Sequence, residues 1–186
     1  MRLRTLLSLV LLLPIFIPST ARAGHVSLGA NLGFARYNPD FGDGTTIIGW
    51  PSSELTYMPG IRVGLSDEAY RNEIYFDTGF TLLDSNASAS VLELTGNYQL
   101  AFTPAKEVSP YVTAGGGIIT AHTSGGFSES STGGVIGGGL GFRDRLANGH
   151  GALRFEGRFD HLFRADPLLE KANLVQLRLG FDLYLQ

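Results

Sequence analysis

The residue of this chain that comes closest to acid–base chemistry is His161, which directly follows Asp160. A neutral imidazole can take the proton of a nearby Ser hydroxyl or Cys thiol and so create a nucleophile. The segment around it, Gly157–Ala165, contains no Ser, and the chain contains no Cys. His161 therefore lacks a nucleophile to activate in its own segment, and the sequence predicts no catalytic residue.

A second group that could do chemistry is the acidic pair Asp40 and Asp43, within the stretch Asn38–Gly44. Carboxylate oxygens bind calcium, but a calcium loop needs acidic residues at regular spacing and a terminal Glu. This stretch has neither, so we interpret it as a polar turn. The sequence thus predicts no metal site and no cofactor.

The largest set of chemically active side chains consists of charges at every second position, such as Arg154, Glu156 and Arg158. Alternate residues of a β-strand project to the same side, so these charges would share one face of a sheet. Buried charges persist only when they are paired, and we expect these side chains to form an ion-pair network. Its predicted members are Arg62, Glu73, Asp77, Glu93, Arg154, Glu156, Arg158, Arg178 and Asp182. Asp160 has the same parity. The alternative, that a charge simply reaches the rim, applies to Asp160 and Asp182.

The elements that must position these residues are strands, and the C-terminal segment Leu174–Gln186 shows this most clearly. Apolar residues such as Leu177 and Leu179 alternate strictly with polar ones such as Gln176 and Arg178, which predicts a β-strand with one apolar face. Eight segments have this period, and the fifth and sixth, which are rich in glycine, are the hardest to phase. They are His25–Tyr37, Glu54–Leu65, Asn72–Leu83, Ala89–Phe102, Val108–Ala121, Gly133–Arg143, Ala152–Phe163 and Leu174–Gln186.

The first 23 residues have the features of a secretory signal peptide. Arg2 and Arg4 precede the apolar run Leu6–Pro18, and Ala21-Arg22-Ala23 matches the cleavage pattern. Cleavage predicts a mature domain of residues 24–186 and changes the net charge from −3 to −6, because three arginines leave with the signal. An acidic domain offers no basic surface for nucleic acid, and the lack of Cys suits an oxidising compartment.

The composition of the polar face separates a membrane barrel from a soluble one. In a soluble barrel this face would meet water and carry long charged residues, whereas here several segments carry mostly Gly, Ser, Thr and Asn. Small residues fit the crowded lumen of an eight-stranded barrel. The sequence therefore predicts one all-β domain, an eight-stranded antiparallel up-and-down transmembrane β-barrel with a lumen plugged by charges.

Aromatic residues lie near segment ends or on the apolar parity. Such positions are typical of the aromatic belts at membrane interfaces, and scattered core aromatics are the alternative. The residues are Tyr37, Tyr57, Tyr98, Phe102, Phe142, Phe159, Phe163 and Phe181.

The lengths of the connections predict which end of the barrel faces outward. Two long ones, Asn38–Ser53 and His122–Thr132, are rich in Gly, Ser, Thr, Asp and Pro. With both chain termini in the periplasm, both long connections become external loops, as in known membrane barrels. The connection Arg143–Gly151 fits less well, because it is long for a periplasmic turn.

The whole predicted domain resembles the eight-stranded outer-membrane barrels typified by the OmpA transmembrane domain and OmpX. Its most specific element is Arg178–Leu185, which is similar to the C-terminal signal read by the barrel-assembly machinery. The matching positions are Arg178, Gly180, Leu183 and Leu185. Gln186 departs from the pattern, since many such proteins end in Phe or Tyr. Pro110–Gly117 also resembles a strand of this family. The resemblance implies assembly by that machinery and an unspecific role for the barrel itself.

A more distant resemblance concerns His161. Its segment is similar to the His-x-Ser-Asn-Ala segment of PagL-type lipid A deacylases, which are also eight-stranded barrels with a triad on the outer wall. Phe163 stands where that family has its nucleophilic Ser, and Arg164 where it has Asn. A lipid A deacylase is therefore the alternative function.

The predicted function is that of a monomeric outer-membrane barrel without catalysis, in contact with membrane lipid. Its structural or interaction role would be carried by the long external loops, because binding specificity usually lies on loops. A small pore and a soluble lipocalin-like carrier are two further functions that the sequence leaves open. The sequence does not identify the extracellular ligand.

Overall fold

The structure, a computed structural model, describes residues 23–39, 56–83, 88–124, 129–146, 149–163 and 171–185. Eight strands form one closed sheet, in which each strand pairs antiparallel with the next and the last pairs with the first. They are β1 (Ala23–Pro39), β2 (Thr56–Asp67), β3 (Asn72–Leu83), β4 (Ser88–Ala101), β5 (Val108–Ser124), β6 (Glu129–Arg145), β7 (Gly151–Leu162) and β8 (Ala172–Leu185). No helix in the described ranges is long and apolar enough to cross a membrane.

Strand β8 shows why this sequence closes into a barrel with an apolar outer wall. Leu177 and Leu179 are 51% and 46% exposed, while Gln176 and Arg178 between them are buried. The period of two thus sends one set of side chains outward and the other into the lumen. A polar interior inside an apolar wall is the arrangement of a membrane-spanning barrel.

All eight predicted strands are confirmed, and the register shows how they meet. Leu32 of β1 pairs with Pro59 of β2 on one side and with Leu179 of β8 on the other. The outer wall so formed is also aromatic. The predicted belt residues with described side chains, Tyr98, Phe102, Phe142, Phe159, Phe163 and Phe181, are all exposed, so they are not core aromatics. The side chains of Tyr37 and Tyr57 lie outside the described part.

The predicted external loop His122–Thr132 is wrong over most of its length. His122 pairs with Ser130 and Thr123 with Glu129, so β5 and β6 continue through these positions. Ser and Thr read as loop residues in the sequence, but Thr is β-branched and suits a strand. Residues 125–128 lie outside the described part, as do residues 40–53 of the other predicted loop, including Asp40 and Asp43.

The end of the barrel that carries the termini has short turns. The connection after β6 covers only residues 146–150, because Arg143 still belongs to the strand. Leu146 donates its backbone N–H to Gly151 O at 2.9 Å, and Gly149 adopts a positive φ of 72°. The connection between β6 and β7, which the sequence predicted to be long for a periplasmic turn, is therefore a short turn. At the opposite end, here called the loop end, the strands lead into the segments that are partly outside the described residues.

The lumen becomes apolar toward the loop end. Ile119, Leu162, Ala172 and Leu174 form a buried cluster there, and Val91 packs against it. By register this cluster begins beside the last charged side chains, because Ile119 pairs with Glu93 and Leu174 with Asp160. A small apolar core thus lies between the charged lumen and the loop end.

Candidate functional site

The candidate site is the cluster of charged side chains inside the barrel. All nine residues singled out by parity in the sequence are buried there: Arg62, Glu73, Asp77, Glu93, Arg154, Glu156, Arg158, Arg178 and Asp182. Each lies on a strand at an inward position and has an outward apolar residue on at least one side. The contacts among them divide into four groups along the barrel.

The group nearest the terminus end is centred on Glu73 of β3. Its Oε1 lies 3.0 Å from Arg62 Nη2 and accepts a hydrogen bond from the Ser27 hydroxyl at 2.8 Å. Its Oε2 lies 3.7 Å from Arg143 Nη1. The Arg62 guanidinium also stacks 3.4 Å from the centre of the Tyr75 ring, a cation–π contact. Two cations therefore share one carboxylate.

The second group joins neighbouring strands through Asp182 and Arg154. Arg154 donates from Nη2 to Asp182 Oδ1 at 3.0 Å and from Nε to Asp182 Oδ2, which makes the pair bidentate. The same Nη2 donates to Asn31 Oδ1 at 2.7 Å. Gly180 makes room for this contact, since a Cβ there would lie 2.7 Å from both Arg154 Nη2 and Asn31 Oδ1. Only glycine fits at that position without displacing the pair.

The third group is a fork at Arg178, which reaches across the lumen. Its Nη1 lies 3.2 Å from Asp77 Oδ2 and its Nη2 lies 3.1 Å from Glu93 Oε1. Its Nε donates to Gln176 Oε1 at 2.8 Å. Arg178 is on β8 and the two carboxylates are on β3 and β4, so this contact ties opposite walls of the barrel together.

The fourth group, closest to the loop end, contains Arg158. Its Nε lies 2.8 Å from both oxygens of Asp160, and its Nη1 lies 3.8 Å from Glu156 Oε1. Glu156 Oε2 accepts a hydrogen bond from the Tyr111 hydroxyl at 3.0 Å. Asp160 and Asp182 are both fully buried, so neither side chain takes the rim position that was the alternative for them. Pairing with an arginine offsets the cost of burying each carboxylate.

Arg143 was missed in the sequence. It is fully buried, and its Nη2 donates to the backbone oxygen of Tyr70 at 2.5 Å. The signal was its position directly after the outward Phe142, but the glycines of β6 obscure the parity. Tyr111 was also missed, whereas Tyr75 and Tyr184 lie on the polar parity of their segments; all three are buried at inward positions.

Tyr70 lies at the terminus end of the barrel, in contact with residues that line the lumen. It lies in the turn between β2 and β3 with a φ of 54°, a left-handed conformation that costs a non-glycine residue about 1–2 kcal/mol. Its ring stacks on His25 at 4.4 Å and meets Tyr184 edge-on at 4.9 Å. Partial burial raises the pKa of the Tyr70 phenol, and the positive charges of Arg145 and Arg143 act in the opposite direction.

Little free space is left between these groups. The cavity between Asn31, Asp77, Glu93 and Arg178 has a volume of about 10 Å³, roughly what one water molecule needs. In the described ranges no three His, Cys, Asp or Glu side chains are arranged to hold a metal ion. The arrangement can hold charges in fixed positions, which is a structural rather than a chemical capacity.

The remaining sequence candidates lie elsewhere on the barrel. Leu183 and Leu185 of the predicted assembly signal are outward and half exposed, while Arg178 and Gly180 take part in the lumen contacts above. His161 faces outward near the loop end, where its Nδ1 lies 2.9 Å from Asn173 Oδ1. The edge of its ring meets Phe163, which occupies the position of the missing nucleophile.

The fold is similar to that of several solved outer-membrane proteins. Neisserial surface protein A is 15% identical, with a TM-score of 0.65 over 85% of this chain and 96% of that one. A major outer membrane protein of Thermus thermophilus is 15% identical, with a TM-score of 0.56 over 88% and 100%. The attachment invasion locus protein Ail of Yersinia pestis is 16% identical, with a TM-score of 0.55 over 88% and 100%. At these identities the likeness shows the fold alone. No family model matches this chain, and no curated protein matches it in sequence.

Proposed function

We propose that this chain is a monomeric outer-membrane β-barrel protein whose lumen is filled by paired charges, and that it acts as a structural or interaction protein rather than as an enzyme. The observation that carries this proposal is the inverted distribution of polarity. Ion pairs such as Arg62–Glu73 and Arg158–Asp160 are buried inside, and apolar side chains such as Leu179 are exposed outside.

The exposed wall is the argument for a membrane. Large apolar side chains are exposed on all eight strands, from Leu28 on β1 to Leu183 on β8. Soluble monomers rarely expose continuous apolar surface of this extent, whereas lipid chains would cover it. Two of the similar structures are described as a surface protein and a major outer membrane protein, which agrees with this location.

The short turns support one orientation in the membrane. Membrane barrels have short periplasmic turns and longer external segments, so the terminus end would face the periplasm and the loop end the exterior. Export through the predicted signal peptide at residues 1–23 belongs to this proposal. So does assembly through Arg178, Gly180, Leu183 and Leu185 by the barrel-assembly machinery. Any partner would then be met by the loop end.

The surroundings of His161 support a function without catalysis. A base needs a hydroxyl or thiol within about 3 Å, and the contacts of this imidazole are the Asn173 amide and the Phe163 ring. Neither group is a nucleophile. The lumen carboxylates are unsuited to acid–base work as well, because arginines hold them in place.

The test is the electrophoretic mobility of the protein in outer-membrane fractions, run in detergent with and without boiling. A folded barrel keeps its compact shape in detergent until heated, so we expect a band in this fraction that shifts on boiling. A band in the soluble periplasmic fraction that does not shift would overturn the proposal, and would favour a soluble carrier with an apolar core.

A further inference from the structure

We propose that the outer wall at the loop end of β7 and β8 binds a lipid headgroup with a phosphate, held by His161 and Lys171. This inference rests on the membrane location proposed above. Its starting point is a polar pair on an otherwise apolar wall. Phe159 and Phe163 flank His161 along β7 and are 52% and 50% exposed, so the imidazole between them shares their outward face.

Asn173 on the neighbouring strand orients this imidazole. The two residues pair by register, and the Asn173 side-chain oxygen accepts from His161 Nδ1 at 2.9 Å. The Phe163 ring packs at 82° and 5.0 Å against the imidazole. Because Nδ1 is engaged and the ring plane is fixed, Nε2 is the nitrogen left for a ligand. In the charged imidazolium form, Nε2 donates a hydrogen bond.

Lys171 adds a cation at the same border. It is exposed and directly precedes β8, two positions before Asn173, which places it about 7 Å further toward the loop end. Among the described residues of β6, β7 and β8 within two positions of this pair on the outer face, none is acidic. The carboxylate of Asp160 points the other way, into the lumen, where it pairs with Arg158. The local charge therefore favours an anion.

The wall on the periplasmic side of the pair fits a hydrocarbon chain. Phe159 and Val175 are exposed there, and Gly157 lies two positions further along β7. A Cβ at Gly157 would meet nothing closer than the Leu140 backbone oxygen at 4.0 Å, so the glycine leaves a shallow gap beside the Phe159 ring. A ligand with a phosphate at one end and an acyl chain at the other matches both parts of this surface.

The test compares lipids that share their acyl chains and differ in the headgroup. The folded barrel is purified in micelles and titrated with phosphatidic acid, which has a phosphomonoester, or with phosphatidylcholine. Native mass spectrometry counts the lipid molecules retained. We expect one retained phosphatidic acid, and about tenfold weaker retention for the double variant His161→Gln/Lys171→Gln, since both side chains that would donate to the phosphate are then uncharged.

The matched control is His122→Gln, the same exchange at an exposed histidine of β5 near the same end of the barrel. It should retain phosphatidic acid like the wild type. Inorganic phosphate is the competitor that lacks acyl chains, and it should displace the lipid poorly. The inference would be overturned if the wild type retained both lipids equally, or if all variants retained phosphatidic acid equally. It would also be overturned if inorganic phosphate displaced the lipid when the two are present at the same concentration. Heat-dependent mobility is recorded for every variant, because a missing shift in the wild type would instead contradict the proposed function.

Discussion

At the scale of single residues, the charges of the lumen are unequal in how well they are paired. Among the described buried side chains there are five arginines and six carboxylates, so one carboxylate is in excess. Asp182 is held bidentately by Arg154, whereas Glu156 approaches Arg158 only to 3.8 Å and otherwise accepts from Tyr111. Removing the negative charge of Glu156 should therefore destabilise the barrel less than removing that of Asp182.

This difference predicts unequal effects of two matched amide substitutions. Asp182→Asn leaves the Arg154 charge without its partner and should lower the free energy of unfolding by about 3 kcal/mol, as for other broken buried pairs. Glu156→Gln keeps an acceptor for Tyr111 and should cost about 1 kcal/mol or less. Urea unfolding in lipid vesicles measures both. Equal losses would contradict the pairing described for this part of the lumen.

Glu93 tests whether the fork at Arg178 stabilises the barrel. Glu93→Leu removes one of the two carboxylates of Arg178 and puts an apolar side chain beside a buried cation, so we expect a lower melting temperature. The temperature at which the electrophoretic mobility changes gives the measurement. Leu92→Ile, at the adjacent outward position, is the control and should melt like the wild type. An unchanged melting point in Glu93→Leu would remove the claim that this network is stabilising.

At the scale of elements, β8 combines both faces of the barrel in one strand. Leu179 is outward and lies between Phe155 and Leu32 of the neighbouring strands. Leu179→Arg should block folding into vesicles, because an arginine near the bilayer midplane costs roughly 2–4 kcal/mol. Leu179→Phe keeps the position apolar and should fold. Normal folding of the arginine variant would show that this face does not meet lipid.

The turn after β2 makes a prediction about backbone strain. Tyr70 has a φ of 54°, which glycine adopts freely and alanine does not. Tyr70→Ala loses the contacts with His25 and Tyr184 and keeps the strain, while Tyr70→Gly loses the same contacts and relieves it. Tyr70→Gly should therefore be more stable than Tyr70→Ala by about 1 kcal/mol in urea unfolding. The opposite order would mean that the turn changes conformation when the ring is removed.

The alternation of apolar and polar residues was enough to predict the eight strands, but not every side chain that lines the lumen. It placed nine charged residues in the lumen, and each is buried. It missed Arg143, because β6 has glycines where apolar residues would mark the parity. It also missed the role of Tyr70, since the direction of a side chain in a turn depends on backbone angles that no periodicity encodes. Which charges pair, such as Arg178 with Glu93 across the barrel, follows from closure of the sheet.

At the scale of the whole molecule, the described side chains that fill the lumen predict the absence of conductance. Tyr70 and Arg143 lie across the terminus end, and Ile119, Leu162 and Leu174 pack together toward the loop end. Ions would have to pass several occupied charge pairs, with a cavity of about 10 Å³ between Asp77, Glu93 and Arg178. Eight strands leave an interior just wide enough for side chains.

We therefore expect no single-channel current steps when the folded barrel is inserted into a planar lipid bilayer. Insertion must be shown separately, by protease protection and by the mobility shift of protein recovered from the same vesicles. This control distinguishes an inserted barrel that does not conduct from a barrel that failed to insert. Tyr70→Gly removes only the Tyr70 ring from the terminus end and should also give no current steps, because the apolar cluster and the Arg178 fork still occupy the lumen. Regular current steps in the wild type would show that the charge pairs separate on the timescale of ion passage, and the barrel would then be a small pore.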